Sequence, residues 1–120
     1  MNNKELGNIG EAIALKYLEN QGYKLVARNW RYRHRELDLV LQCPKGILVV
    51  VEVKLRTTHS KGTGLEAVTT NKLEIIHQLI NMFILKNHKY RNNQIRIDVV
   101  SVDYDKERGL ATNITHIKGV

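Results

Sequence analysis

Two apolar, strand-like stretches of this chain carry charges that an ordinary buried strand would not hold. They are Glu36-Leu37-Asp38-Leu39-Val40-Leu41-Gln42 and Ile47-Leu48-Val49-Val50-Val51-Glu52-Val53-Lys54, joined by Cys43-Pro44-Lys45-Gly46. Strand side chains alternate, so Glu36, Asp38, Val40 and Gln42 are expected on one face and Leu37, Leu39 and Leu41 on the other. In the second stretch Leu48, Val50, Glu52 and Lys54 share a face. Pro-Lys-Gly suits a three-residue hairpin loop with a left-handed glycine, which sets Cys43 opposite Ile47. Counting outward brings Asp38 opposite Glu52 and Glu36 opposite Lys54. A slip of one residue would move every acid to the wrong face.

Facing carboxylates repel, so an Asp38–Glu52 pair asks for a cation or a shared proton. Mg²⁺ suits such a pair, because one or two protein carboxylates with water and substrate phosphate complete its shell. Lys54, on the same face, is placed to orient an attacking water or to neutralise a phosphate oxygen. A plain cross-strand ion-pair ladder on a solvated face is the alternative, and Glu-x-Lys alone does not decide between them.

Composition narrows the class. The 120 residues, 42% of them hydrophobic, fit one compact domain spanning 1–120. Lys and Arg outnumber Asp and Glu by 19 to 12, for a formal charge of +7, which favours a polyanionic partner such as nucleic acid. The amino end, Met1 to Glu5, has no signal-type apolar region, and no apolar run approaches spanning length, so a soluble, cytoplasmic protein without a membrane role is expected. The lone Cys43 is expected to be a bystander thiol in a reducing compartment. The five histidines, His34, His59, His77, His88 and His116, lack metal-ligand spacing and are expected at the surface or in loops.

Periodicity predicts an amphipathic helix over 4–21 with Leu6, Ile9, Ile13 and Tyr17 inward and Gly22 as its stop. A strand is expected over 23–30, a loose glycine-containing loop over 55–65, and a helix over 66–86 burying Val68, Ile75, Ile76, Leu79 and Phe83. A turn over 87–93 and strands over 94–103 and 110–117 complete the order. The fold class is α/β, a mixed α+β sheet covered by helices, with an antiparallel meander and then a crossover strand.

Several further residues invite a reading. Gly7 and Gly10 each weaken a helix, which implies close packing there by the sheet or by a phosphate backbone. Lys72 falls on an apolar helix face, so its ammonium must snorkel or meet an acid. Asp98, in a buried strand, needs an arginine, with Arg28, Arg56 and Arg96 as candidates. Trp30 and Tyr32 lie among Arg28, Arg31, Arg33 and Arg35; packing is favoured for Trp30, and stacking on bases is the other use of such rings.

Taken together, Gly7-x-x-Gly10-Glu11, Arg28-Asn29-Trp30-Arg31, Glu36-Leu37-Asp38-Leu39-Val40, Val50-Val51-Glu52-Val53-Lys54 with Arg56, Glu66-Ala67-Val68-Thr69 with Lys72, and Arg96-Ile97-Asp98-Val99-Val100 carry a resemblance over nearly the whole chain. The sequence resembles the small bacterial UPF0102 (YraN-like) proteins, which look like PD-(D/E)xK restriction-endonuclease-like and Holliday-junction-resolvase-like nucleases. The resemblance implies a restriction-endonuclease-like core, with Asp38 and Glu52 as metal ligands, Val53 offering its backbone carbonyl, Lys54 as the motif lysine and Glu11 as the helical acid. The implied metal is Mg²⁺ or Mn²⁺, and the implied activity is cleavage of DNA, branched or single-stranded. Arg28, Arg31, Arg33, Arg35, Arg56 and Lys72 are expected to contact nucleic acid. Resolvase-like relatives act as symmetric dimers, so a homodimer is one expected arrangement, although no dimer-forming stripe stands out. One departure is Arg35 where the family usually has glycine ahead of Glu36. It removes a close backbone approach, adds a cation at the pocket mouth, and favours the alternative of a binding module without turnover. A protein-interaction scaffold is the third reading.

Overall fold

The computed structural model describes residues 1–57 and 69–120. Helix α1 (Asn3–Asn20) is followed by strands β1 (Lys24–Tyr32), β2 (Arg35–Gln42) and β3 (Leu48–Thr57), then helix α2 (Thr70–Lys86), a 3₁₀ turn (His88–Tyr90), β4 (Ile95–Asp105) and β5 (Leu110–Ile117). The five-stranded sheet keeps the order β1-β2-β3-β4-β5. β1, β2 and β3 form the antiparallel meander, β3 and β4 are parallel, and β5 returns antiparallel. The expected α/β arrangement with one crossover is therefore present.

Local chemistry explains the boundaries. Asn2 caps α1 by accepting the Glu5 N–H at 2.8 Å, and Gly22, at φ 88°, turns the chain out of the helix. Thr69 caps α2 by accepting the Lys72 N–H at 3.1 Å. That helix begins at Thr70; residues 66–68 of the expected helix lie outside the described residues. So does most of the expected 55–65 loop, while Leu55, Arg56 and Thr57 extend β3 instead. The hairpin closes as its turn chemistry dictates: Gly46 sits at φ 86°, and the Cys43 N–H donates to the Ile47 carbonyl at 3.0 Å.

Each sheet face carries its own core. Ala14 and Leu18 of α1 pack with Leu39, Leu41, Val49, Val51, Val100 and Val102. On the other face Ile76, Leu79, Ile80 and Phe83 of α2 pack with Leu37, Val40, Leu48, Val50 and Ile97. β3 is buried without a break from Leu48 to Glu52, as a central strand covered on both faces must be. Burying each large side chain fully contributes roughly 1.5–3 kcal/mol. Trp30 meets Phe83 edge to face at 5.3 Å, the packing role expected for it.

Three expectations about faces need correction. The buried line of α1 runs through Gly10, Glu11, Ala14 and Leu18, with Ile13 and Tyr17 only half-buried. The small side chains and Glu11 lie inward because the helix approaches β3 closely: a Cβ on Gly10 would lie 3.1 Å from the Leu55 Cβ. Gly7 has open space around it, so packing on the sheet does not explain that glycine. Finally, Leu37 faces α2 whereas Leu39 and Leu41 face α1, so strict alternation breaks at Asp38.

Candidate metal-binding site

That break builds the site. The β2–β3 ladder runs in the register the turn predicts, from Gln42–Leu48 to Leu39–Val51, and ends there. One step further, the Asp38 carboxylate accepts the Val53 N–H at 2.9 Å and takes the place of a strand partner. N–H and C=O of a strand residue point to the same side, so the Val53 carbonyl faces the gap beside Asp38. Across β1, Asn29 lies between the Arg28–Leu39 and Trp30–Leu37 pairs and takes the left-handed conformation, φ 50°, which asparagine tolerates better than most residues.

Asn29 organises the acids. Its Nδ2 donates to Glu11 Oε1 at 2.9 Å and reaches Glu36 Oε1 at 3.4 Å. Glu11, Glu36 and Asp38 each present a carboxylate oxygen within 4.8 Å of the others. Glu36 does not face Lys54 as the extended register required. With the β2–β3 ladder ended, it pairs across β1 with Arg31, whose Nε lies 3.2 Å from Glu36 Oε2. Arg28 reaches back to α1, donating to the Asn8 carbonyl at 3.3 Å and lying 3.7 Å from Glu11.

Glu52 is buried at 4% exposure and hydrogen-bonded to Asp38. Burial first, then that hydrogen bond and the Asp38 charge, push its carboxyl up to about 9 against the pull of Lys72 and Lys54. The pair therefore shares a proton at neutral pH. Glu11 is raised for related reasons: burial, then the charges of Asp38 and Glu36, opposed by the Asn29 hydrogen bond and Arg28. Burial also lowers Lys54, and its contact with Lys72 lowers it further. The positive charge of Lys72 acts on Glu52 and opposes the rise of its carboxyl.

The predicted residues separate into groups. Glu11, Asp38, Glu52, Val53, Lys54 and Lys72 converge, with Arg28 and Arg31 bound to their rim. Arg33 and Arg35 stand exposed at the β1–β2 turn, and Arg56 pairs with Asp103 at 3.5 Å. Asn29 and the role of Glu36 were missed. The cue for Asn29 was its type, an amide in a strand beside Arg28, but its backbone conformation is invisible in alternating sequence. A cavity of about 410 Å³ opens onto Glu11, Asn29 and Glu36 and is also lined by Gly7 and Arg31.

The donor set fits a hard divalent cation: several carboxylate oxygens converge, and without a cation the buried pair must hold a proton.

Elsewhere, Asp98 is fully buried and takes both arms of Arg96, at 2.8 and 2.9 Å, with His116 Nε2 at 2.8 Å and the Gly119 N–H at 3.1 Å. Of the three candidate arginines, Arg28, Arg56 and Arg96, it is Arg96 that pairs with Asp98. His116, in contrast, is no surface histidine; its side chain is 4% exposed and locks β5 onto β4. Among the described residues no helix is long and apolar enough to cross a membrane.

A mixed sheet with one parallel crossover, helices on both faces and acids gathered where β2 and β3 part define a restriction-endonuclease-like α/β domain. The sequence model of the Uncharacterised protein family UPF0102 matches residues 10–102, and the chain belongs to that family. A UPF0102 protein of Desulforamulus reducens is 37% identical over 96% of this chain and 93% of its own length. One from Mycolicibacterium gilvum is 40% identical, covering 96% and 92%, and one from Flavobacterium johnsoniae 33%, covering 92% and 91%.

Proposed function

We propose that the chain is a metal-dependent endonuclease that hydrolyses phosphodiester bonds in DNA, of the resolvase-like kind. The observation that carries this reading is the convergence of Glu11, Glu36 and Asp38 within 4.8 Å, with Glu52 bonded to Asp38 and the Lys54–Lys72 pair beside them. Asp38, Glu52 and the Val53 carbonyl would hold Mg²⁺ or Mn²⁺, with Glu11 near enough to contribute. Such a cation, when bound, polarises the scissile phosphate and makes water a stronger nucleophile.

The chain's own groups supply the rest. Lys54 orients the attacking water and donates a hydrogen bond to a non-bridging oxygen as charge grows on the phosphoryl group. Lys72 adds a second positive charge, Asn29 holds Glu11 in place, and Arg31 lies at the cavity rim where the strand backbone would enter. Water gives up a proton to the surrounding solvent as its oxygen bonds to phosphorus, the bridging ester bond breaks, and the leaving oxygen takes up a proton from solvent in turn.

A binding module on the same fold is the second reading, because Arg35 replaces the family's usual glycine. Arg35 is not among the residues lining the cavity over Glu11 and Glu36, which limits how far it obstructs that opening. The deciding experiment is cleavage of labelled duplex, single-stranded and four-way-junction DNA in Mg²⁺, Mn²⁺ or chelator, comparing wild type with Glu52→Gln. Cleavage lost in chelator and in the variant supports the nuclease; salt-sensitive binding without cleavage moves the reading to the binding module.

A further inference from the structure

A second opening lies between the β1–β2 turn and α2, with a volume of about 570 Å³. Its apolar surface comes from Tyr32, Ile75, Leu79 and Met82, and Gln78 and Asn81 add side-chain amides. Arg33, His34 and Arg35 make its cationic rim, and all three are exposed. The Tyr32 ring stacks on Trp30 at 6.4 Å and 9°, and the Arg33 guanidinium carbon lies 5.4 Å from the Tyr32 ring centre. The Lys86 Nζ lies 5.9 Å from the same ring centre, so the groove offers a planar guanidinium resting on an aromatic ring, two amides able to pair with polar edges, and a positive mouth.

Those are the needs of a nucleobase: an apolar face, hydrogen-bonding edges and an attached phosphate. The distance along the chain fits a neighbour of the reacting phosphate. Arg35 in the groove wall is three residues from Asp38, about 10 Å along a strand. Lys72, whose charge acts on Glu52, precedes Ile75 by one helical turn, about 5 Å. Separations this short fall within the reach of nucleotides that flank the reacting phosphate on one strand. A base in continuous duplex is paired and cannot turn into such a groove without a cost of a few kcal/mol.

We propose that this groove receives one unpaired nucleobase of the bound strand, so that the protein prefers single-stranded or branched DNA to continuous duplex. The inference rests on the nuclease reading for its choice of ligand, and its test is independent of cleavage.

The test is binding in chelator, by fluorescence anisotropy, of a labelled single strand and of the blunt duplex of the same sequence. Arg33→Lys keeps the charge and loses the planar surface, and Tyr32→Leu keeps apolar bulk without the ring. Either change should weaken single-strand binding about tenfold and leave duplex binding and its salt dependence within about twofold. Glu74→Gln, on α2 but outside the groove, should alter neither. Equal weakening of both DNA forms, no weakening of either, or a wild type without single-strand preference overturns the proposal. A groove that instead held a protein segment or a second copy would give the second of these results. Cleavage is scored separately: Mg²⁺-dependent hydrolysis without strand preference removes the groove alone, and strand preference without hydrolysis removes the nuclease alone.

Discussion

At the scale of single residues, the Asp38–Glu52 pair makes a prediction about pH. Glu52 is raised to about 9 by burial and by Asp38, so its contribution to folding is full below the ordinary carboxylate value of about 4.3 and declines as pH rises toward the folded value. In chelator, wild type should therefore lose thermal stability between about pH 5 and pH 9, and Glu52→Gln, which cannot ionise, should lose less. Mg²⁺ should stabilise wild type increasingly with pH, because it competes with that proton, and should stabilise Glu52→Gln less and with little dependence on that proton. Melting curves with matching slopes for the two proteins would remove the shared proton from the account. Asp98 has the opposite sign. Burial works to raise it, but the hydrogen bonds from Arg96, His116 and the Gly119 N–H outweigh burial and hold it below the ordinary range. Its stabilisation is present above about pH 4 and lost as pH falls through its folded value. Asp98→Asn should cost about 3–5 kcal/mol at pH 7 by denaturant melting, equally with and without Mg²⁺. An arginine partner was legible, with Arg28, Arg56 and Arg96 as candidates, and the shared face of residues two apart on a strand selects Arg96; His116 was not legible, because only the β4–β5 register, set by the whole sheet, brings it there.

At the scale of elements, the two glycines of α1 separate packing from access. Gly7 meets nothing within 4 Å and lines the cavity over the acids, whereas Gly10 lies against Leu55 and Val53. Gly7→Ala should raise stability by up to about 1 kcal/mol through helix propensity alone. Gly10→Val should lower it by about 1–3 kcal/mol, since the added atoms must push α1 away from β3, and Glu11 moves with the helix. Urea midpoints measure both; a destabilised Gly7→Ala would contradict the open space around it. If Gly7→Ala is more stable yet binds DNA less well, that glycine serves the approach of a strand backbone. The hairpin of β2 and β3 was the most legible element, because Pro44 and Gly46 fix the turn and the turn fixes the register down to Leu39–Val51. Where the ladder ends was not legible. It depends on Asn29 adopting a left-handed conformation one strand away and on Asp38 accepting the Val53 N–H, neither of which leaves a mark in apolar–polar alternation. The buried face of α1 was misplaced for a similar reason. Large apolar side chains suggested Ile13 and Tyr17, but close approach to β3 selects small ones, Gly10 and Ala14.

At the scale of the molecule, a chain of formal charge +7 gathers several of its acids at one place and rims that place with arginines. The cations at the rim are not equally available to a polyanion. Arg31 is 76% exposed but paired with Glu36, and Arg28 is tied to α1 and Glu11, so phosphate must compete with carboxylates already in contact. A divalent cation held by Asp38 and Glu52, with Glu11 beside them, would draw Glu36, whose carboxylate lies within 4.8 Å of Glu11 and Asp38, away from Arg31 and release that guanidinium. Metal and DNA binding should then reinforce each other through Arg31, although no residue need contact both. The consequence is measurable in a Lys54→Ala background, which keeps the acids and lacks the lysine proposed to act on water. In chelator, Arg31→Ala should change the salt dependence of DNA affinity by well under one released counterion; with Mg²⁺ present the change should approach one, a slope difference of about 0.9. Reciprocity requires DNA to tighten Mg²⁺ binding by the same factor, and Arg31→Ala to diminish that factor. If Arg31→Ala alters the slope equally with and without Mg²⁺, the Arg31–Glu36 pair is a surface contact without influence on DNA binding, and the acids and the cationic rim act independently.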